Sequence, residues 1–144
     1  LFCIVSDTYT IQTALGENGK HPYLNINAAG QGELRSGTPR KFKITYLQTD
    51  WSGRCYTIQT MDGKYLALDG MAVNGSPLIT RSEPYRWYIS NGSMAYIGST
   101  ENSAQRLNAC GQQKTDGTPI ISWDLTSTYN TGNQNYRFIF EFAK

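Results

Sequence analysis

Tyr9-Thr10-Ile11-Gln12-Thr13 returns letter for letter as Tyr56-Thr57-Ile58-Gln59-Thr60. A second set of matches follows at a similar spacing: Arg40-Lys41-Phe42-Lys43-Ile44, Tyr85-Arg86-Trp87-Tyr88-Ile89 and Gln134-Asn135-Tyr136-Arg137-Phe138. Each sets an aromatic between polar residues and ends on an apolar one. Internal repetition fixes architecture before any single motif does, because each unit buries its apolar face on its neighbours. A period of about forty residues, completed three times within 144, fits one threefold domain and not an open solenoid. The expected organisation is a single domain over residues 1–144, with repeats near 1–48, 49–92 and 93–144.

Outward from these repeats, short runs rich in β-branched and aromatic residues recur, each stopped by Gly, Pro, Asn or Asp. They are Phe2–Val5, Tyr9–Thr13, Tyr23–Ile26, Phe42–Leu47, Tyr56–Thr60, Tyr65–Leu68, Leu78–Arg81, Trp87–Ser90, Met94–Gly98, Arg106–Ala109, Ile120–Leu125 and Tyr136–Phe142. No window of a dozen residues keeps an uninterrupted helical period, so the chain reads as all-β. Asp62-Gly63, Asn74-Gly75, Asn91-Gly92 and Asp116-Gly117 supply the positive-φ positions of tight turns. Four strands in each of three repeats predict a six-stranded barrel capped by three hairpins, the β-trefoil, whereas a propeller needs more blades than this length allows. Phe42, Trp87 and Tyr136 are expected to meet as equivalents near the threefold axis, with Ile44, Ile89 and Phe138 beside them.

A net charge of +2, from 13 basic and 11 acidic residues, is too small to argue for nucleic acid or an anionic membrane. No apolar run approaches the roughly 18 residues of a bilayer span, so a soluble protein is expected, in the cytoplasm or secreted. Asn91-Gly92-Ser93 and Asn74-Gly75-Ser76 are glycosylation sequons, the second weakened by Pro77. Cys3, Cys55 and Cys110 lie far apart without a C-x-x-C pair, and His21 is the only histidine that could join them. That set argues against metal and cofactor sites, and free thiols are expected, with a Cys3–Cys55 bridge as the alternative. With one histidine, placed before Pro22, a nucleophilic triad has little to build on and no enzyme is expected.

The third repeat carries the chemistry. Its elements are Arg106-Leu107-Asn108-Ala109-Cys110-Gly111, then Asp116-Gly117-Thr118-Pro119-Ile120-Ile121-Ser122-Trp123-Asp124-Leu125, then Asn133-Gln134-Asn135-Tyr136. This stretch resembles the ricin-B-like, or R-type, β-trefoil lectins, most of all their mushroom members. Those repeats read Leu/Ile-Asp-Leu, Asp-Gly-Thr-Pro-Ile, a Trp shortly after, and Gln-any-Trp. Here Tyr136 replaces the last Trp and Asn108 the Asp. The resemblance implies a non-catalytic lectin for terminal galactose or N-acetylgalactosamine, with a site at Asn108, Gly111, Trp123, Asn133 and Gln134.

Sugar chemistry asks for the same residues. A hexose has an apolar C–H face and a rim of hydroxyls, so it needs an aromatic plate and fixed polar groups. Trp123 can be the plate, Asn108 and Asn133 the polar partners, and Gln134 a support behind them. Each also has a structural role open to it: Ile121 and Trp123 alternate onto one strand face that could be core, and the asparagines could serve turns. By the same test the second repeat offers Ala67, Arg81 and Pro84 at the matching places, and the first keeps Asn25 but has Pro39 and no aromatic. Glycans of glycoproteins or glycolipids are the expected partners, and a homodimer is the simplest way for one weak site to crosslink cells. The competing reading is a β-trefoil protease inhibitor, of the Kunitz or mushroom cysteine-protease type, acting through Leu15–Pro22 or Gln48–Arg54.

Overall fold

The computed structural model describes residues 2–37, 39–124 and 134–143. Among them run twelve strands: β1 (Asp7–Thr13), β2 (Tyr23–Ile26), β3 (Gly32–Arg35), β4 (Lys41–Asp50), β5 (Gly53–Thr60), β6 (Tyr65–Leu68), β7 (Leu78–Arg81), β8 (Trp87–Ile89), β9 (Ile97–Ser99), β10 (Gln105–Ala109), β11 (Ile120–Asp124) and β12 (Phe138–Phe142). Two single-turn 3₁₀ helices, η1 (Cys110–Gln112) and η2 (Gln134–Tyr136), lie between the last strands. No helix among the described residues is long and apolar enough to cross a membrane.

Six strands make a barrel. β1 pairs with β12 and β4, β4 with β5, β5 with β8, and β8 with β9, all antiparallel. Ala95 closes the ring by exchanging backbone hydrogen bonds with Phe138 at 2.8 and 2.9 Å. The other six strands form the hairpins β2–β3, β6–β7 and β10–β11. A triangle of bridges joins these hairpins in cyclic order, Gln31 to Ile79, Pro77 to Ile121 and Pro119 to Glu33. The chain is a β-trefoil, as its repeats predict.

Strand register shows which residues are equivalent. Phe42 lies opposite Tyr9 and Thr60, Trp87 opposite Tyr56 and Ser99, and Phe138 opposite Ala95 and Thr13. Phe42, Trp87 and Phe138 are fully buried and form the threefold aromatic layer. The sequence had placed Tyr136 in that layer; it belongs two residues earlier, in η2, where it matches Tyr85. Both tyrosines are buried, and burial pushes both phenols above their ordinary pKa. The two identical pentapeptides occupy matching positions in β1 and β5, with Ile11 and Ile58 completely buried.

Two strand assignments change. Phe2–Val5 is not a strand: it is held by Tyr9 Oη donating to Val5 O at 2.8 Å and Tyr56 Oη donating to Ile4 O at 2.5 Å. Only Ile4 of that run is buried among its apolar residues, Phe2 and Val5 being exposed. Gly32–Arg35, a strand with one large apolar residue, was missed. Gly32 is required there because a Cβ would stand 2.6 Å from Leu78 Cδ2 across the hairpin triangle. The three cysteines are free thiols.

Candidate functional site

The β10–β11 hairpin sets up the third-repeat residues. Its register opposes Arg106 to Trp123 and Asn108 to Ile121, which puts all four on one face. The other face, with Leu107, Ala109, Ile120 and Ser122, is buried. Trp123 therefore points away from the barrel core and is 41% exposed, so the core-packing reading of this residue is wrong. Asn108 and Trp123 are diagonal neighbours across the pair, a spacing of about 7–8 Å that long and aromatic side chains can span.

Asn108 is 3% exposed, and its Nδ2 donates to Arg106 O and to Ile121 O, both at 3.2 Å. Both amide hydrogens are thus spent on backbone carbonyls, which leaves Oδ1 as the acceptor. A carboxylate could not take this pose, since it would set an oxygen against two carbonyl oxygens. The amide is the chemistry this backbone requires.

Gly111 serves the turn. Its φ of 63° lies in the left-handed region, and with Gln112 at 58° it turns the chain through η1 after β10. Gln134 opens η2, is exposed, and η2 packs against β10 and η1. Asn133 lies outside the described residues. The structure therefore sets Asn108 and Trp123 as diagonal neighbours on one face of the hairpin, Gly111 in the turn beyond β10, and Gln134 in η2 against β10 and η1. Next to Gln134, Asn135 is buried and its Oδ1 has no hydrogen-bond partner.

Several residues that hold the β10–β11 hairpin were not singled out from sequence. Asn74, from the second repeat, accepts on Oδ1 from Gln105 Nε2 at 2.9 Å and from the Asp124 backbone N–H at 2.8 Å. Gln105 Oε1 in turn accepts from the buried Ser122 hydroxyl at 2.6 Å. Ser122 also exchanges backbone bonds with Ser76 and Gly75 at 2.8 Å. These ties fix β11 on both sides of Trp123 and engage Asn74, the first residue of the weaker sequon. Asp116, at the hairpin turn, accepts from Ser36 N–H and Oγ, and the backbone bond foremost holds its carboxyl below the usual range.

At the matching positions the other hairpins are filled from within. Register equates Trp123 with Arg35 and Arg81, and Asn108 with Asn25 and Ala67. Arg35 pairs with Glu33. Arg81 folds back to donate to Glu83 O at 3.1 Å and Pro84 O at 2.9 Å, and lies over the Tyr85 ring.

Gln48–Arg54 is a tight hairpin, since β4 runs to Asp50 and β5 starts at Gly53, with Trp51 98% exposed at its tip. In the Leu15–Pro22 loop, His21 Nδ1 donates to Leu15 O at 3.1 Å, and Lys114 pairs with Glu17 at 2.5 Å, both lining a cavity of about 520 Å³. No group of three or more His, Cys, Asp or Glu among the described residues could hold a metal ion.

No protein-family model matches the sequence, and no curated protein matches it. Solved structures do match. A Macrolepiota procera ricin B-like lectin in complex with lactose is similar at a TM-score of 0.75 and 17% identity, over 99% of this chain and 100% of that one. The Rhizoctonia solani agglutinin is similar at 0.74 and 15%, over 99% of each chain. A designed threefold symmetric protein, ThreeFoil, is similar at 0.71 and 14%, over 94% of this chain and 99% of that one. At such identities over whole chains the likeness establishes the fold: a β-trefoil of the kind used by ricin B-like lectins.

Proposed function

We propose that this protein is a non-catalytic lectin of the ricin B-like type, binding terminal galactose or N-acetylgalactosamine through its third repeat. The observation that carries the reading is the exposed indole of Trp123, held on a doubly anchored strand beside an amide whose Oδ1 is left to accept. The indole takes the apolar C–H face of the sugar, and Asn108 Oδ1 accepts from a hydroxyl of its polar rim. Gln134, exposed in η2, supports the site from behind β10, and Gly111 shapes the turn beyond it. Lactose in the similar Macrolepiota lectin supports a galactoside as ligand.

Neutral hydrogen bonds and one aromatic plate make a weak single site, so crosslinking of cells needs two copies, as in a homodimer. A glycan array tests the reading directly. Wild type should bind galactose-terminated structures, and Trp123→Ala should lose at least about tenfold in affinity, ~1.4 kcal/mol, while keeping its fold. A blank array, or binding unchanged in the variant, contradicts the proposal, and protease inhibition through the Trp51 hairpin then becomes the reading to test.

A further inference from the structure

Trp123 is one member of a row that crosses four strands. Register opposes it to Arg106, Arg106 to Gly98 and Gly98 to Tyr88, so these four residues share one face of the sheet. Gly98 leaves the middle of the row without a side chain, and the Arg106 stem lies across it: a Cβ at Gly98 would stand 3.0 Å from Arg106 Cδ. The guanidinium is thereby carried over β9, where Nε donates to Ser103 O at 3.0 Å and the charged carbon lies 5.3 Å from the Tyr96 ring centre. There Arg106 lines a cavity of about 650 Å³ with Tyr96 and Ser90. The strand of Trp123 and the strand under this cavity lie on either side of β10, about 10 Å apart at two strand spacings.

The third hairpin exchanges the two residue types that the others pair. The matching cross-strand pairs are Tyr23–Arg35 and Tyr65–Arg81, with the arginine on the second strand, whereas Arg106–Trp123 puts it on the first. Arg35 pairs with Glu33, and Arg81 donates to Glu83 O and Pro84 O. Arg106 has only the Ser103 carbonyl, and Arg137 lies over the same Tyr96 ring at 4.6 Å. Neither forms an ion pair among the described residues, where the ion pairs are Arg35–Glu33 and Lys114–Glu17. Asp124, next to Trp123 in sequence, alternates to the other side of β11, and its charge is felt at Tyr136. Arg106 is partly buried, and burial pulls its guanidinium below the ordinary value. A desolvated cation without a counter-charge is unfavourable unless something negative meets it. With Nε spent, Arg106 keeps its Nη donors, the fork that fits a carboxylate or a sulfate.

Resting on the galactoside reading of the third repeat, we propose that this site selects galactosides carrying an acidic group, a sulfate ester or the carboxylate of an attached acidic sugar, with the galactose on Trp123 and the oxyanion on Arg106. Because the guanidinium lies beyond Gly98 and not against the indole, the charge belongs to a substituent of the stacked sugar.

Isothermal titration of the full chain with lactose, lactose sulfated on its galactose and sialyllactose tests the selection. The readout is the affinity of each charged ligand relative to lactose, taken within one variant so that changes in stacking cancel. Wild type should prefer at least one charged ligand by about tenfold or more, the worth of a charge-assisted contact. Which of the two gains identifies the source of the oxyanion. Arg106→Gln should abolish the preference, and Arg81→Gln, on the second-repeat hairpin, should keep it, with circular dichroism verifying each fold. If Arg106→Gln fails to fold, wild type at two ionic strengths decides, since the preference should shrink as salt rises. Equal affinity for all three ligands, or a preference that survives Arg106→Gln or is indifferent to salt, overturns the inference while lactose binding stands. No saturable heat with any of the three contradicts the galactoside reading itself, and this inference with it.

Discussion

The β6–β7 and β10–β11 hairpins are the same backbone with opposite surfaces. Leu66 and Leu107 match in the core, and each hairpin meets its neighbours through the same triangle of bridges. On the outer face they diverge. Arg81 satisfies its own guanidinium on Glu83 O and Pro84 O, which closes the second-repeat surface. Trp123, at the equivalent place, has its indole left in solvent, beside an amide with an unspent acceptor. A trefoil thus separates what holds it together from what it can bind. The inward half of each hairpin packs the core, and the outward half is where the repeats differ most.

The largest effect comes from breaking the shared half. Trp87 is fully buried in the threefold layer and its Nε1 donates to Leu66 O at 2.9 Å. Trp87→Ala should cost about 3–5 kcal/mol of stability, read by urea unfolding, whereas the exposed Trp123→Ala should leave the midpoint nearly unchanged. Equal losses would erase the distinction between the two tryptophans.

A smaller effect sharpens the comparison of the polar positions. Asn108→Asp would turn a carboxylate oxygen toward Arg106 O and Ile121 O, and should cost about 1–3 kcal/mol along with sugar affinity. Asn25 uses its Oδ1 to accept from the Ile26 N–H at 2.9 Å, a bond that a carboxylate keeps. Asn25→Asp keeps that bond and should therefore cost less than Asn108→Asp, and a reversed order of the two variants would show that Asn108 is oriented differently.

The smallest effect lies in acid. Asp50, Asp62 and Asp116 are held below the usual carboxylate range, foremost by the Ser52 N–H, the Thr60 hydroxyl and the Ser36 N–H respectively. Groups with lowered folded pKa values contribute stability above their unfolded values, near pH 4, and lose it as pH falls through the folded ones. The melting temperature should be flat from about pH 5 to 8 and fall below about pH 4, with a shallower fall in Asp116→Asn. A decline that begins above pH 5 would contradict this assignment.

Most of the fold was legible because the repeats put apolar residues at period two and turn residues between them. Gly32–Arg35 was not, because Glu33 and Arg35 satisfy each other and Leu34 alone signals burial. Phe2–Val5 looked like a strand by composition, yet its partners are two tyrosine hydroxyls rather than a ladder. In the third repeat the aromatic spacing matched Tyr136 to Trp87, and only the register with Ala95 and Thr13 shows that Phe138 belongs there.

The residue types of the proposed site were legible, but the orientation of Trp123 was not. Ile121 and Trp123 share a face, and the sequence leaves open whether that face turns to the core or to a ligand. The inward face instead carries Ser122, which is tolerable because Gln105 accepts its hydroxyl and Asn74 holds Gln105. That relay spans two repeats, so no local pattern could reveal it.

The most direct test follows the three indole N–H signals of Trp51, Trp87 and Trp123 by NMR while lactose is added. The account predicts that Trp123 shifts saturably, while buried Trp87 and the hairpin-tip Trp51 stay in place. A stationary Trp123, with or without movement of Trp51, would contradict it.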